Sequence, residues 1–216
     1  MRLLDIEGTV CPVTFVHDVL FPYARRALPD YVAAHPDDAA VREAAAVAGV
    51  DPADPTALVE VLRGWIDADR KVTALKAIQG AIWRQGYADG AFVAPLYPDV
   101  VPALDRWRAR GEAIAVFSSG SVEAQQLLFG HTDRGDLRDR FVGWFDTTVG
   151  SKREPGSYAA IADRCRVAPS AVTFYSDVAA ELDAARTAGM AAVGVARDAV
   201  GDRRAPDGWI TTFTEL

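Results

Sequence analysis

Cysteine is scarce in this chain: Cys11 and Cys165 are the only two among 216 residues. Thiols so far apart give neither a disulfide framework nor a metal-ligand spacing; the expectation is two reduced thiols in a cytoplasmic protein. No run of about 18 residues is apolar enough to span a bilayer. No basic start leads into a long apolar segment, so a secretory leader is not expected either. Basic excess is also missing. The formal net charge is −7, from 23 basic and 30 acidic residues. That balance argues against nucleic acid and anionic membranes as partners, because both select a basic surface. A small anionic substrate stays possible, since a metal ion or a lysine reverses the field locally. Internal repeats and low-complexity tracts are absent as well.

What is present is an ordinary globular composition, 50% apolar and 25% charged. The length suits one large domain, or a domain with a smaller insert. Two kinds of pattern divide the chain. From Phe15 the apolar positions Phe15, Val16, Val19, Leu20, Tyr23 and Ala27 keep a helical period, with Pro22 as a kink or interruption. His17 on this helix reads as a surface or internally satisfied imidazole. Further helical faces follow, one on Leu58, Leu62 and Trp65 and another on Leu75, Ile78 and Ile82, with no strand between them. From Asp99 onward helices alternate with short apolar runs at 113–117, 144–145, 172–176 and 190–195. A last short strand is expected at 208–211, and residues 132–140 read as a polar surface loop. The alternation predicts an α/β fold, a Rossmann-like, mostly parallel sheet with helices on both faces. Residues 1–14 and 96–216 form this core, and residues 15–95 form an all-helical insert after the first strand.

The polar clusters gather where such a fold places ligands, beyond the carboxyl ends of its strands. Leu3 and Leu4 lead into Asp5 and Glu7, whose side chains leave the same face of an extended segment. Gly8 then lets the backbone turn. Ser118 and Ser119 follow the run that ends at Phe117. Asp177 follows the run that ends at Ser176, and Lys152 lies in a loop before a helix. Three carboxylates, a hydroxyl and an amine from four segments suit phosphoryl transfer. Hard oxygen ligands hold a divalent cation. A serine and a lysine hold phosphate oxygens. One carboxylate attacks phosphorus, and a second acid handles the protons.

The D-x-E-G-T stretch Asp5–Thr9, with Ser118, Lys152 and Asp177, resembles the four motifs of the haloacid dehalogenase-like hydrolases. Most of that superfamily has aspartate in place of Glu7. Glu7, the run Phe15 to Tyr23, the run Val116 to Gln125, Leu127 to Gly130, and Gln79, Gly80 and Trp83 resemble the enolase-phosphatases of methionine salvage. The likeness covers nearly the whole chain. It implies that residues 15–95 are a helical cap on the core. It implies one Mg²⁺ per subunit at Asp5, Glu7 and Asp177, with Asp5 as nucleophile, Glu7 and Lys152 as catalytic groups, and Ser118, Ser119 and Lys152 as substrate ligands. Glu181 would touch the metal through water or orient Lys152. The implied reaction takes 2,3-diketo-5-methylthiopentyl 1-phosphate through enolisation and then phosphate removal, giving the acireductone; Glu7 is the candidate enolisation base. The alternative is a Mg²⁺-dependent phosphatase of another small phosphorylated metabolite without an enolase step. A cytoplasmic monomer acting on a small molecule is expected. Val10 and Cys11 depart from the threonines usual there, and Cys11 reads as a buried bystander.

Overall fold

Short apolar runs become strands of one parallel sheet: β1 (Arg2–Leu4), β2 (Ile114–Phe117), β3 (Gly143–Phe145), β4 (Thr173–Ser176) and β5 (Ala191–Gly194). They lie in the order β3-β2-β1-β4-β5, with every neighbouring pair parallel. The computed structural model describes residues 1–197, 206 and 208–215. Of the segment 96–216 assigned to the core from sequence, residues 198–205, 207 and 216 lie outside the described residues. The three-residue β1 is sheltered by a neighbour on each side, and Leu3 and Leu4 are fully buried. Leu4 stands opposite Val116 of β2 and Tyr175 of β4. Asp5 therefore comes level with Phe117 and Ser176, and Ser118 and Asp177 lie one step beyond. β1 is also where the order reverses, with β2 and β3 to one side and β4 and β5 to the other. Open α/β sheets bind ligands at such a switch point.

The chain divides into two compact units, Met1–Val13 with Ala94–Leu216, and Thr14–Val93. The second unit is helical: a π-helical stretch Phe15–Leu20, then α1 (Phe21–Ala34), α2 (Ala39–Ala48), α3 (Pro55–Asp67) and α4 (Thr73–Ala88). Its own core includes Leu28, Leu62 and Ile78, all at 0% exposure. Pro22 does interrupt the first helix, in a specific way. The Phe21 N–H donates to Val16 O, five residues back, and the wide turn ends there. Pro22 then opens α1, where a missing N–H costs little. Asp38 and Asp54 cap α2 and α3 by accepting main-chain N–H groups.

In the first unit α5 (Val100–Ala109), α6 (Val122–Gly130), α7 (Pro155–Arg164) and α8 (Ala179–Thr187) flank the sheet. Tyr158, Ile161 and Leu182 of α7 and α8 pack with Leu3, Phe117 and Phe174. Trp107 of α5 lies 5.5 Å from the Tyr175 ring. Successive strand residues point to opposite faces, so helices cover both. Two local expectations need correction. Residues 208–211 make a single bridge, Ile210 to Val195, rather than a strand. The chain turns away at once because Asp99 binds the Thr212 hydroxyl and the Phe213 N–H. Residues 132–140 are not wholly a surface loop: Leu137 and Thr132 are buried, and Arg138–Arg140 forms a 3₁₀ turn.

Asp99 anchors this end of the unit. Its Oδ2 also accepts from Arg197 Nη1 at 2.8 Å, and Arg197 Nε donates to Thr9 O at 2.8 Å. The guanidinium lies over Tyr97 and Phe213. Burial works to raise the Asp99 carboxyl, but the bonds from Arg197 and Phe213 and the Arg197 charge outweigh it and hold the group below its usual value. A depressed carboxyl stabilises the fold above the unfolded value, near pH 4, and loses that stabilisation as pH falls through the folded one. Asp99→Asn should lower the melting temperature at pH 7 by about 5 °C and flatten its decline below pH ~4. Thermal unfolding followed by circular dichroism across pH checks both.

Candidate active site

The chain coils tightly after β1, and the N–H groups of Thr9, Val10 and Cys11 all point at Ile6 O. This coil holds Asp5 and Glu7 at the strand tip. Asp5 is 3% exposed. Its main-chain N–H donates to Tyr175 O at 3.0 Å, which continues the sheet one residue beyond β1. Its Oδ1 accepts from its neighbour's N–H at 2.8 Å and lies 2.6 Å from Lys152 Nζ. Its Oδ2 accepts from Ser176 Oγ at 3.0 Å. Lys152 Nζ also reaches Glu181 Oε2 at 2.7 Å, and Ser176 Oγ lies 2.9 Å from that same oxygen. Asp5, Lys152, Glu181 and Ser176 thus close a buried ring of polar contacts.

Lys152 is brought there by its loop. Tyr158 Oη donates to Lys152 O and Ser157 Oγ to Ser151 O, each at 2.7 Å, so the first turn of α7 pins two successive carbonyls. Gly150, at φ +136, leaves no room for a side chain, since a Cβ would stand 2.3 Å from Ser157 Oγ. The ammonium sits 5.8 and 5.9 Å from the Phe117 and Phe174 ring centres. Burial alone would lower its pKa; the charges of Asp5 and Glu181, and their hydrogen bonds, raise it instead, so it stays protonated. Glu181 is raised by burial and by Asp5 against the pull of Lys152.

Two further acids stand beside the ring. Glu7 Oε2 accepts from Ser118 Oγ at 3.1 Å, and Ser118 Oγ in turn accepts the Gly120 N–H at 3.1 Å. Burial and the Asp5 charge push the Glu7 carboxyl up. Asp177 lies against Gly8: a Cβ there would meet Asp177 Oδ2 at 2.2 Å, and Gly8 holds φ +70. Glycine is required on both counts. Asp177 is exposed as a residue, yet protein atoms crowd its carboxyl. That desolvation, then the Asp5 charge, pushes it up to about 6. Ser119 is exposed at the rim. Cys11 is buried, and burial raises its thiol far from the thiolate form.

The sequence-derived candidates Asp5, Glu7, Ser118, Lys152 and Asp177 thus converge on one sheet edge, and Glu181 joins them through Lys152. Sequence reasoning gave Ser176 no role, although it is level with Asp5 on the neighbouring strand. It also missed Tyr158 and Ser157, and it gave Gln125 no role beyond the run that carries the resemblance. Gln125 Nε2 donates to Gly120 O and Phe145 O, each at 2.8 Å, which fixes the Ser118–Gly120 loop to the end of β3. A serine or glutamine inside a helix or strand carries no mark of such a role until the neighbouring strand and loop are known.

The four acids Asp5, Glu7, Asp177 and Glu181 face the single ammonium of Lys152, an excess of negative charge that suits a cation. Among the described residues no three acidic, imidazole or thiol side chains form a ready-made metal cage. Mg²⁺ is commonly held by one or two carboxylates, with water and phosphate oxygens as the other ligands. A large thiol- or imidazole-based site is not what these hard oxygen donors suit.

A family model described as haloacid dehalogenase-like hydrolase matches residues 3–189. The chain is similar to an enolase-phosphatase E1 from Thioalkalivibrio sulfidiphilus, 50% identical over 94% of this chain and 92% of the relative. It is similar to an enolase-phosphatase E1 from Acidiphilium cryptum, 54% identical over 87% of this chain and 81% of the relative. Among solved structures it resembles the UTR4 protein of Saccharomyces cerevisiae, with TM-score 0.81 and 35% identity over 98% of this chain and 95% of that one.

Removing Lys152 would leave buried Asp5 and Glu181 without their cation. Lys152→Met should destabilise by about 3–5 kcal/mol as well as abolish activity. Adding Glu181→Gln removes one of the repelling acids, so the double variant should melt above Lys152→Met while remaining inactive. A double variant that melts no higher would show that the two acids do not share the ammonium. Differential scanning calorimetry of the two singles and the double makes the comparison.

Proposed function

The chain belongs to the haloacid dehalogenase-like hydrolases, and from that footing we propose that it is an enolase-phosphatase of methionine salvage. It converts 2,3-diketo-5-methylthiopentyl 1-phosphate to the acireductone 1,2-dihydroxy-3-keto-5-methylthiopentene and phosphate. The observation that carries the reading is the held carboxylate of Asp5, fixed by Lys152 and Ser176 at the sheet's switch point. The enolase-phosphatase E1 relatives at about half identity support the particular substrate. Among the described residues no helix is long and apolar enough to cross a membrane. We assign the helical unit Thr14–Val93 the part of a cap, and the protein the habit of a cytoplasmic monomer.

In the phosphatase half-reaction Asp5 attacks phosphorus. A bond forms from a carboxylate oxygen to phosphorus, and the bond from phosphorus to the substrate oxygen breaks. Glu7, held by Ser118 rather than by Lys152, gives its proton to that leaving oxygen. Water then attacks the aspartyl phosphate, Glu7 takes its proton, and the electron pair returns to Asp5. Lys152 has three N–H bonds. Two go to Asp5 and Glu181, which leaves the third for a phosphate oxygen. Ser118 and Ser119 line the substrate side. Mg²⁺, one per chain, would be held by the carboxylates of Asp5 and Asp177 and the main-chain carbonyl of Glu7, which leaves the Glu7 side chain for protons, and would supply charge neutralisation for the phosphate. In the enolase half-reaction Glu7 takes the proton from the carbon that bears the phosphate ester, next to the C2 carbonyl. The C–H electron pair becomes the enol double bond, the carbonyl π pair moves onto oxygen, and that oxygen takes a proton from a water molecule. The glutamate side chain reaches about 1.5 Å farther than aspartate would, one C–C bond length, and that reach brings it to Ser118.

Asp5→Asn should reduce phosphate release at least a thousandfold while leaving the circular dichroism spectrum unchanged; phosphate release at the wild-type rate would overturn the nucleophile assignment. Glu7→Asp should slow enolisation more than phosphate release. An assay that follows enol absorbance and free phosphate separately tests this, and equal losses in both steps would refute Glu7 as the enolisation base.

A further inference from the structure

Ser176 has one proton and two carboxylates to give it to. Its Oγ lies 3.0 Å from Asp5 Oδ2 and 2.9 Å from Glu181 Oε2. The same oxygen accepts the Val178 N–H at 3.1 Å, which leaves the hydroxyl proton for the two acids. Ser176 is fully buried, so no water competes for that proton. Lys152 Nζ holds the other Asp5 oxygen and the same Glu181 oxygen. The hydroxyl and the ammonium therefore bridge the same pair of acids, one on each side.

We propose that Ser176 is a charge-following hydrogen-bond donor that governs how readily the phosphoryl group leaves Asp5. The inference rests on Asp5 being the nucleophile. When Asp5 is a free carboxylate, the hydroxyl donates to its Oδ2. When Asp5 carries phosphorus, its oxygens are those of a mixed anhydride, one bonded to phosphorus and the other a neutral carbonyl, and both accept hydrogen bonds poorly. Glu181 carries no phosphorus and its Oε2 lies within reach of the same hydroxyl, so the hydroxyl rotates its proton from Asp5 to Glu181, with no bond made or broken at Ser176. In the second half-reaction water's oxygen bonds to phosphorus, the phosphorus–Asp5 bond breaks, and its electron pair returns to the carboxylate. The hydroxyl then swings back and stabilises the departing carboxylate. Hydrogen bonds to charged groups are about twice as strong as neutral ones, so the bond favours free Asp5 over phospho-Asp5. Its loss should shift the balance toward the phosphoenzyme and slow its breakdown more than its formation. A serine that merely filled space would alter stability and leave that balance alone.

The test is acid-quench trapping of phosphoenzyme during turnover of ³²P-labelled acetyl phosphate with Mg²⁺, a generic phosphoryl donor that does not depend on the assigned substrate. Asp5→Asn serves as the blank. Ser176→Ala should raise the steady-state phosphoenzyme fraction by roughly tenfold and give a burst of acetate ahead of phosphate. Ser176→Thr, which keeps the hydroxyl, should restore the wild-type fraction. Ser176→Cys, a weak donor of similar size, should fall between and carries the measurement if Ser176→Ala does not fold. Wild-type turnover with unchanged phosphoenzyme fractions in Ser176→Ala and Ser176→Cys overturns this inference alone. Asp5-independent phosphate release, or none at all from wild type, overturns the proposed nucleophile and this inference with it.

Discussion

The buried contact between Lys152 and the carboxylates of Asp5 and Glu181 is the constraint on which the rest of the site depends. Three charged groups out of water are tolerable only if each is paired and hydrogen-bonded. Here every member is. Asp5 receives an ammonium, a hydroxyl and a main-chain N–H, and Glu181 receives the same ammonium and lies 2.9 Å from the same hydroxyl. Much of the neighbouring structure serves to keep the partners in place. Tyr158 and Ser157 hold the lysine loop, and the parallel pairing of β1 with β4 puts Ser176 beside Asp5. A nucleophilic carboxylate gains from this treatment. Its rotamer is fixed before substrate arrives, so little ordering is left for the reaction itself.

The remaining acids are arranged on a different principle. Glu7 and Asp177 have no ammonium of their own, and burial with the Asp5 charge raises both. Negative charge left unbalanced on one sheet edge is unfavourable in the isolated chain and becomes favourable when a cation arrives. The same raised carboxyl suits Glu7 to handling protons. Gly8 is the structural counterpart of this crowding, since only a residue without a Cβ lets Asp177 lie against the coil after β1.

The sequence was informative in proportion to how local the physics was. The strand at 114–117 is a continuous apolar run because it is buried on both faces, and that pattern is readable in one dimension. Helix ends at Asp38, Gly49 and Asp54 carry their own capping chemistry. The expected strand at 208–211 failed because its fate depends on Asp99, over a hundred residues away, which draws Thr212 and Phe213 out of the sheet. The loop at 132–140 was misjudged for a similar reason: its charged residues hide a buried Leu137.

For the site, the sequence by itself determined the chemistry available: carboxylates, a hydroxyl and an amine placed just beyond apolar strands, with glycine where the backbone must turn. Residue type and strand position are local properties, so they survive without coordinates. Tertiary structure alone decided the pairing. It gave Lys152 to Asp5 and Glu181, Ser118 to Glu7, and put Ser176 within reach of two acids. The reason is geometric. A hydrogen bond is made or lost within a few tenths of an ångström, and such distances between residues 111 to 171 positions apart are fixed by sheet register and loop closure.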